Sequence, residues 1–408
     1  MLIRKTLKTL LKSGLKVLVV ASIFLSLAAY GQFAKTTLKQ HQEAIDFYQE
    51  IIEGEQAWIA SMQLPSGVLP QRPLSQQTAS VIPYFSAMAA MALLEYQPEM
   101  YVEQVFAYLE WVFSRLNDAQ SDFYSIDGTL SNFTLTLLPD GSFEERATKY
   151  DSVDAYAALN LSLLLKAYHV SQDTAFFTQH ETDIQRIVKA LLSTRLANGL
   201  SAVSVNNQTQ YLMDNIEVQV GLQDGIYLIE LMLPHSNNAQ ALKDLQIELI
   251  EWAHMNATAI EHYLWSESEQ RYHIGLSANT QIIEFKSWDR FYPDAVAQLF
   301  PILHQTIDLN DERAKQLYAR FNKTYDWQTV SFRAEGNFYW TMIVYVAALM
   351  GDTDRVKAYL GIYKDLYMPA HPYPLYSAES AWIVRASLQM IEHHQASMRR
   401  IDPLSLFH

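Results

Sequence analysis

The chain has 408 residues, half of them apolar, so a large core can form and global disorder is excluded. A formal net charge of −14 sets nucleic acid aside as a partner, because a phosphate backbone would be repelled. The absence of cysteine excludes disulfides, thiolate nucleophiles, cysteine-based zinc sites and a lipoprotein anchor.

The chain opens with Arg4, Lys5, Lys8, Lys12 and Lys16 ahead of the apolar run 17–30, VLVVASIFLSLAAY. Positive charge followed by a short apolar run is the layout of an export signal. Ala29-Tyr30-Gly31 offers a small-x-small cleavage site. The run is short for a full span of roughly 20 residues, although retention as an anchor is the alternative to cleavage. Residues 1–34 are therefore read as an export signal or membrane anchor. The expected location is extracellular, or anchored to the outer face of the cytoplasmic membrane.

From residue 35 onward the pattern is helical, and two kinds of helix alternate. Segments 38–62, 101–117, 173–196, 241–260, 310–325 and 352–367 are charged and amphipathic, each with a face suited to water. Segments 80–94, 154–168, 215–233, 292–303, 338–351 and 380–391 are nearly free of charge and rich in Ala, Ser and Met. A helix apolar on most sides must be covered on most sides. None of these has positive flanks or a convincing span length, so they are expected to be buried in protein. The alternation predicts an all-α fold, an (α/α)6 barrel of six helical hairpins, outer then inner. It occupies 35–400 as one domain, with 401–408 as a tail.

Connections from inner to outer helices are short. Those from outer to inner are long, at 64–76, 118–149, 197–213, 265–288, 326–334 and 368–376. The stretch 265–288 holds RYHIGL and TQIIEF around SANT, a small β-hairpin by its alternation. All the long connections lead into the N-termini of inner helices, so one rim should carry the cleft.

Carboxylates recur at those helix starts. KYDSVDAYAALNL carries Asp151 and Asp154, LMDNIEV carries Asp214 and Glu217, and SWDRFYPDA carries Asp289 and Asp294. RAEGNFYW adds Glu335 and YSAESAW adds Glu379; only SQQTASVIPYF lacks an acid. Aromatic residues stand beside them: Tyr150, Trp288, Tyr292, Trp340, Tyr376 and Trp382. Such rings stack on the flat apolar faces of sugars. Acidic residues in a first helical turn also serve as caps, and Asp214-x-x-Glu217 resembles a capping box. A glycosidic bond is broken by a pair of carboxyls, one protonated and one ionised. The clustering of acids points that way more strongly than any one member.

Taken together, the alternating helices and this acidic rim resemble the six-hairpin glycosidase superfamily. Tyr150-Asp151-Ser152-Val153-Asp154-Ala155-Tyr156-Ala157-Ala158-Leu159 is similar, in content and position, to the Asp-rich motif of the family 8 glycoside hydrolases. That resemblance implies an (α/α)6 barrel acting on a polysaccharide. Two features depart from the family pattern. Only two aspartates stand here, and the Ser-Glu-Gly-Gln-Gly acid motif has no clean counterpart. The proton donor is thus left between Glu217 and Asp289, with Asp154 as base and Asp151 as its partner. Tyr150, Asp214, Trp288, Arg290, Tyr292, Glu335, Trp340, Glu379 and Trp382 are the expected substrate-binding residues. Other readings of the same barrel are a non-catalytic glycan-binding or polysaccharide-assembly protein and, on Arg290 and His371, a polysaccharide lyase. The expected partner is a polysaccharide or oligosaccharide. The expected state is a monomer. No HExxH, P-loop or dinucleotide glycine pattern occurs, and His393 and His394 are adjacent, so no metal and no cofactor is expected.

Overall fold

The structure, a computed structural model, describes residues 2–74, 78–329 and 338–401, with side chains from residue 32 onward. Glu335 and the tail 402–408 lie outside the described residues, as do the side chains of most of the N-terminal segment. The chain forms two units, one of residues 1–50 with 389–408 and one of residues 51–388. In the first unit, the Nδ1 atoms of His41 and His394 lie 2.8 Å apart, and the His394 ring stacks on Tyr48 at 5.8 Å.

Thirteen α-helices are described. They are α1 (Leu2–Ser61), α2 (Pro83–Leu93), α3 (Val102–Ser114), α4 (Asp154–Ser171), α5 (Thr174–Gln179), α6 (Glu181–Leu192) and α7 (Leu212–Met232). They continue with α8 (Ala239–Ala259), α9 (Phe300–Leu303), α10 (Glu312–Thr324), α11 (Met342–Leu349), α12 (Thr353–Leu366) and α13 (Ser377–Ile401). The predicted alternation holds, with α2, α4, α7, α9, α11 and α13 inside. The third outer segment is divided at His180 into α5 and α6. The fourth inner segment is broken into a π turn, Phe291–Ala295, and the single turn α9. Pro293 and Pro301 remove backbone donors there, which limits regular helix.

Small residues let the inner helices close up. A Cβ added at Gly221 of α7 would sit 2.5 Å from the Cα of Ala158 in α4. Further round the ring, Tyr345 of α11 stacks on Trp382 of α13 at 5.8 Å. Arg385 of α13 then pairs with Glu95 at the end of α2, 3.1 Å away, and Lys166 of α4 binds the same carboxylate at 2.8 Å. These contacts join both ends of the barrel sequence.

The long connections carry the strands. Thr78–Val81 (β1), Asn132–Leu137 (β2) and Phe143–Thr148 (β3) form an antiparallel sheet. Gln210–Tyr211 (β4) pairs with a later hairpin, and Trp265–Ser266 (β5) pairs with Arg271–Tyr272 (β6). That hairpin, Gly275–Leu276 (β7) with Ile282–Ile283 (β8), is the one expected around SANT. The β2–β3 hairpin was not anticipated, although NFTLTL alternates inward and outward as a half-buried strand does. Among the described residues no helix is long and apolar enough to cross a membrane.

Candidate active site

A cavity of about 640 Å³ opens at the N-terminal ends of the inner helices. Every inner helix contributes a wall residue, among them Tyr84 (α2), Tyr156 (α4), Glu217 (α7), Phe300 (α9), Met342 (α11) and Trp382 (α13). The long connections therefore do converge on one rim.

Asp154 takes up the first-turn amide of Ala155 in α4 and Glu379 the amides at the start of α11, but Asp151, Asp214 and Glu217 are not N-caps of the inner helices. The helices α2, α4, α7, α9 and α11 have no side-chain N-cap hydrogen bond, whereas the outer helices α5, α8 and α10 are capped by Asp173, Asn238 and Asp311.

Asp151, Asp214, Glu217 and Glu379 all line the cavity. Asp151 is exposed and lies 2.9 Å from the Tyr156 hydroxyl, which is also 3.0 Å from the Asn132 side-chain oxygen. Asp214 is half-buried, and beyond its own backbone amide it makes no hydrogen bond among the described residues. Burial, followed by the charges of Asp154, Glu217 and Asp151, raises its pKa well above the carboxylate range. Glu217, one helical turn further along α7, accepts a short hydrogen bond from the Tyr84 hydroxyl. Burial pushes Glu217 up to about 8 against the opposing effect of that hydrogen bond, and the charge of Asp154 adds to the rise.

His304 lies 3.9 Å from Glu217, but this is not an ion pair. Burial, helped by the charge of Arg385, lowers the imidazole to about 3, so it is neutral at ordinary pH.

Glu379 has a structural task. Its carboxylate accepts from the Trp340 and Thr341 amides at 3.2 and 2.8 Å and from the Thr341 hydroxyl at 2.6 Å. Trp340 has a φ of 56°, a strained conformation for a bulky residue, and this tie holds it against the cavity wall. The Tyr292 ring lies 5.2 Å from Trp340 and shares that wall.

Other expected residues lie elsewhere. Asp154 is fully buried and off the cavity wall. Its carboxylate accepts from Ser152 Oγ (2.6 Å), the Ala155 amide (2.8 Å) and Ser201 Oγ (2.7 Å), which leaves it no route to a substrate. Asp289 is an exposed loop residue 3.2 Å from Ser287 Oγ. Tyr150 is buried and donates to Asp122 at 2.8 Å, tying down the loop before α4. Trp288 packs under Arg320 and beside Phe285, away from the cavity. Arg290 reaches toward Asp294 at 3.7 Å. His371 stacks on Trp58 at 4.0 Å and lies 3.0 Å from Glu55. With Arg290 and His371 both off the cavity wall, the lyase reading loses its base and its cation. Glu335 lies outside the described residues. Tyr84, Tyr156 and Tyr211 were missed because they carry no charge and read as core aromatics.

No family model matches the sequence, and no curated protein does either. Solved structures do match in fold. A glycosidase variant in complex with glucose aligns at a TM-score of 0.55 and 11% identity, over 85% of this chain and 98% of that one. A GH63 mannosylglycerate hydrolase from Thermus thermophilus aligns at 0.53 and 11% identity, over 84% and 99%. An alpha-amylase from Clostridium perfringens aligns at 0.54 and 11%, over 83% and 97%. The chain shares the (α/α)6-barrel fold of these structures. Identities this low carry the fold and leave the chemistry to the residues in the cavity.

Proposed function

We propose that the protein is a glycoside hydrolase in which Asp214 is the proton donor and Asp151 the base. One observation carries this reading: three carboxyls of unlike environment converge on one aromatic-walled cavity. Burial and neighbouring charge keep Asp214 protonated, and its carboxyl is uncommitted, as a donor to a glycosidic oxygen must be. Asp151, which leads into the neighbouring inner helix α4 and is open to solvent, is placed to activate a water molecule or to stabilise the developing oxocarbenium ion. Glu217 lies one turn beneath the donor, and its charge is one of those that raise the donor's pKa. Tyr211, Tyr292, Phe338 and Trp340 offer rings to the sugar. The substrate is a polysaccharide or an oligosaccharide end. The glycosidase neighbours of this fold, two of them with glucose bound, support this class.

The test is hydrolysis across a panel of polysaccharides and aryl glycosides. Asp151→Asn and Asp214→Asn should each reduce kcat by at least about a hundredfold, with helical circular dichroism unchanged. Full activity in Asp214→Asn overturns the assignment. Glycan binding by the wild type without turnover would point instead to a binding or assembly protein.

The basic and apolar N-terminal segment supports export, and we place the barrel outside the cytoplasm. Cell fractionation with N-terminal sequencing tests this, and a cytoplasmic chain beginning at Met1 would refute it.

A further inference from the structure

Two tyrosines on neighbouring inner helices each bind an acid of the cavity. Tyr84 stands in the first turn of α2 and Tyr156 in the first turn of α4. Their rings stack at 5.9 Å with 29° between planes, and Phe85 braces Tyr84 edge-on at 5.2 Å. The Tyr84 hydroxyl donates to Glu217, and the Tyr156 hydroxyl lies 2.9 Å from Asp151. Both rings line the cavity. The helix that brings no carboxylate to the rim thus brings a phenol to one.

We propose that Tyr84 and Tyr156 form a stacked clamp that positions the two sides of the acid–base machinery, one tyrosine on the donor pair and the other on the base. This rests on the assignment of Asp214 with Glu217 and of Asp151 to catalysis. The stack fixes the separation of the two hydroxyls, and each hydroxyl fixes the rotation of one carboxyl. Burial and the nearby Glu217 charge hold the Tyr84 phenol well above its ordinary value, so it stays a donor throughout the working range. Burial and the Asp151 charge raise Tyr156 in the same way. Neither tyrosine needs to touch the reacting atoms. They are positioning residues.

The groups facing Glu217 are Tyr84 from α2, Asp154 from α4, Asp214 on its own helix, His304 after α9, and Tyr292. Among them Tyr84 stabilises the ionised form. Removing its hydroxyl raises the pKa of Glu217. The Glu217 charge that helps to raise Asp214 is then present over less of the pH range, so the donor gives up its proton earlier and the basic limb of the kcat profile moves to lower pH.

The experiment compares Tyr84→Phe, Tyr156→Phe and the double variant with Asp151→Asn and Asp214→Asn, all as full chains. Each tyrosine variant should lose about tenfold to a hundredfold in kcat, with KM within about twofold. Tyr84→Phe should also shift the basic limb downward, which a purely structural role would not do. The double variant should lose less than the product of the two single losses, because the residues act as a unit. Wild-type kcat and an unmoved basic limb in Tyr84→Phe overturn the clamp. If one variant fails to fold, the kcat and KM of the other decide the matter. Inactive aspartate variants beside wild-type tyrosine variants would sink the clamp alone. Active aspartate variants would sink the functional reading itself.

Discussion

The Asp154 carboxylate sits in a cage of two hydroxyls and one backbone amide, and each of these donors is there to be satisfied by it. Replacing Asp154 by Ala leaves the Ser152 and Ser201 hydroxyls without this acceptor, and the Ala155 amide with only its longer bond to Ser152 Oγ at 3.3 Å. The expected loss is about 2–4 kcal/mol in a urea titration, with the basic limb of the kcat profile moved to lower pH, because the Asp154 charge helps to raise Asp214. Asp151, three residues earlier, should behave oppositely, losing activity and little stability. The sequence placed both at a helix start but could not order them. Helical periodicity begins only at Asp154, so it fixes nothing about the direction of a residue in the preceding loop. The same limit hid Tyr84. A phenol in an apolar run carries no mark of the carboxylate it will meet more than a hundred residues later.

At the scale of the helix, the inner ring depends on close approach. Gly221→Ala would drive a methyl group into the backbone and side chain of Ala158 across the α4–α7 contact. Since the obstruction includes backbone atoms, relaxation is limited, and about 2 kcal/mol or more should be lost in chemical denaturation. The helices were legible because burial on most sides removes charge, and that shows at a glance in segments such as 80–94 and 338–351. The breaks were less so. The interruption before α9 follows from prolines whose effect depends on what could replace the lost hydrogen bonds, which is a property of the packed neighbours. The β2–β3 hairpin was written in its alternation, yet it lay inside a segment read only as a long loop.

For the molecule as a whole, the buried acids tie stability to pH. Glu217 rises from an ordinary 4.5 to about 8, and Asp214 and Asp154 also rise. Each favours its protonated form in the folded state. The stability they contribute is full below the unfolded pKa and declines as pH climbs through the folded one. The thermal midpoint should therefore fall between about pH 5 and pH 8. Glu217→Gln should flatten the decline, and a midpoint that rises over that interval would contradict the buried protonated pair. In an acidic chain, a peak of stability on the acid side is a distinctive signature.

The barrel has two unlike ends. At one end short connections close hairpins, while the cavity and the described parts of the long loops lie at the other. Changes in loop length or in the β2–β3 hairpin meet solvent and substrate, and they leave the packing of Gly221 on Ala158 untouched. What the rim can bind and how firmly the protein folds are thus separately adjustable. A lineage carrying this scaffold can drift far in sequence, and remake its rim, before the ring of helices has to follow.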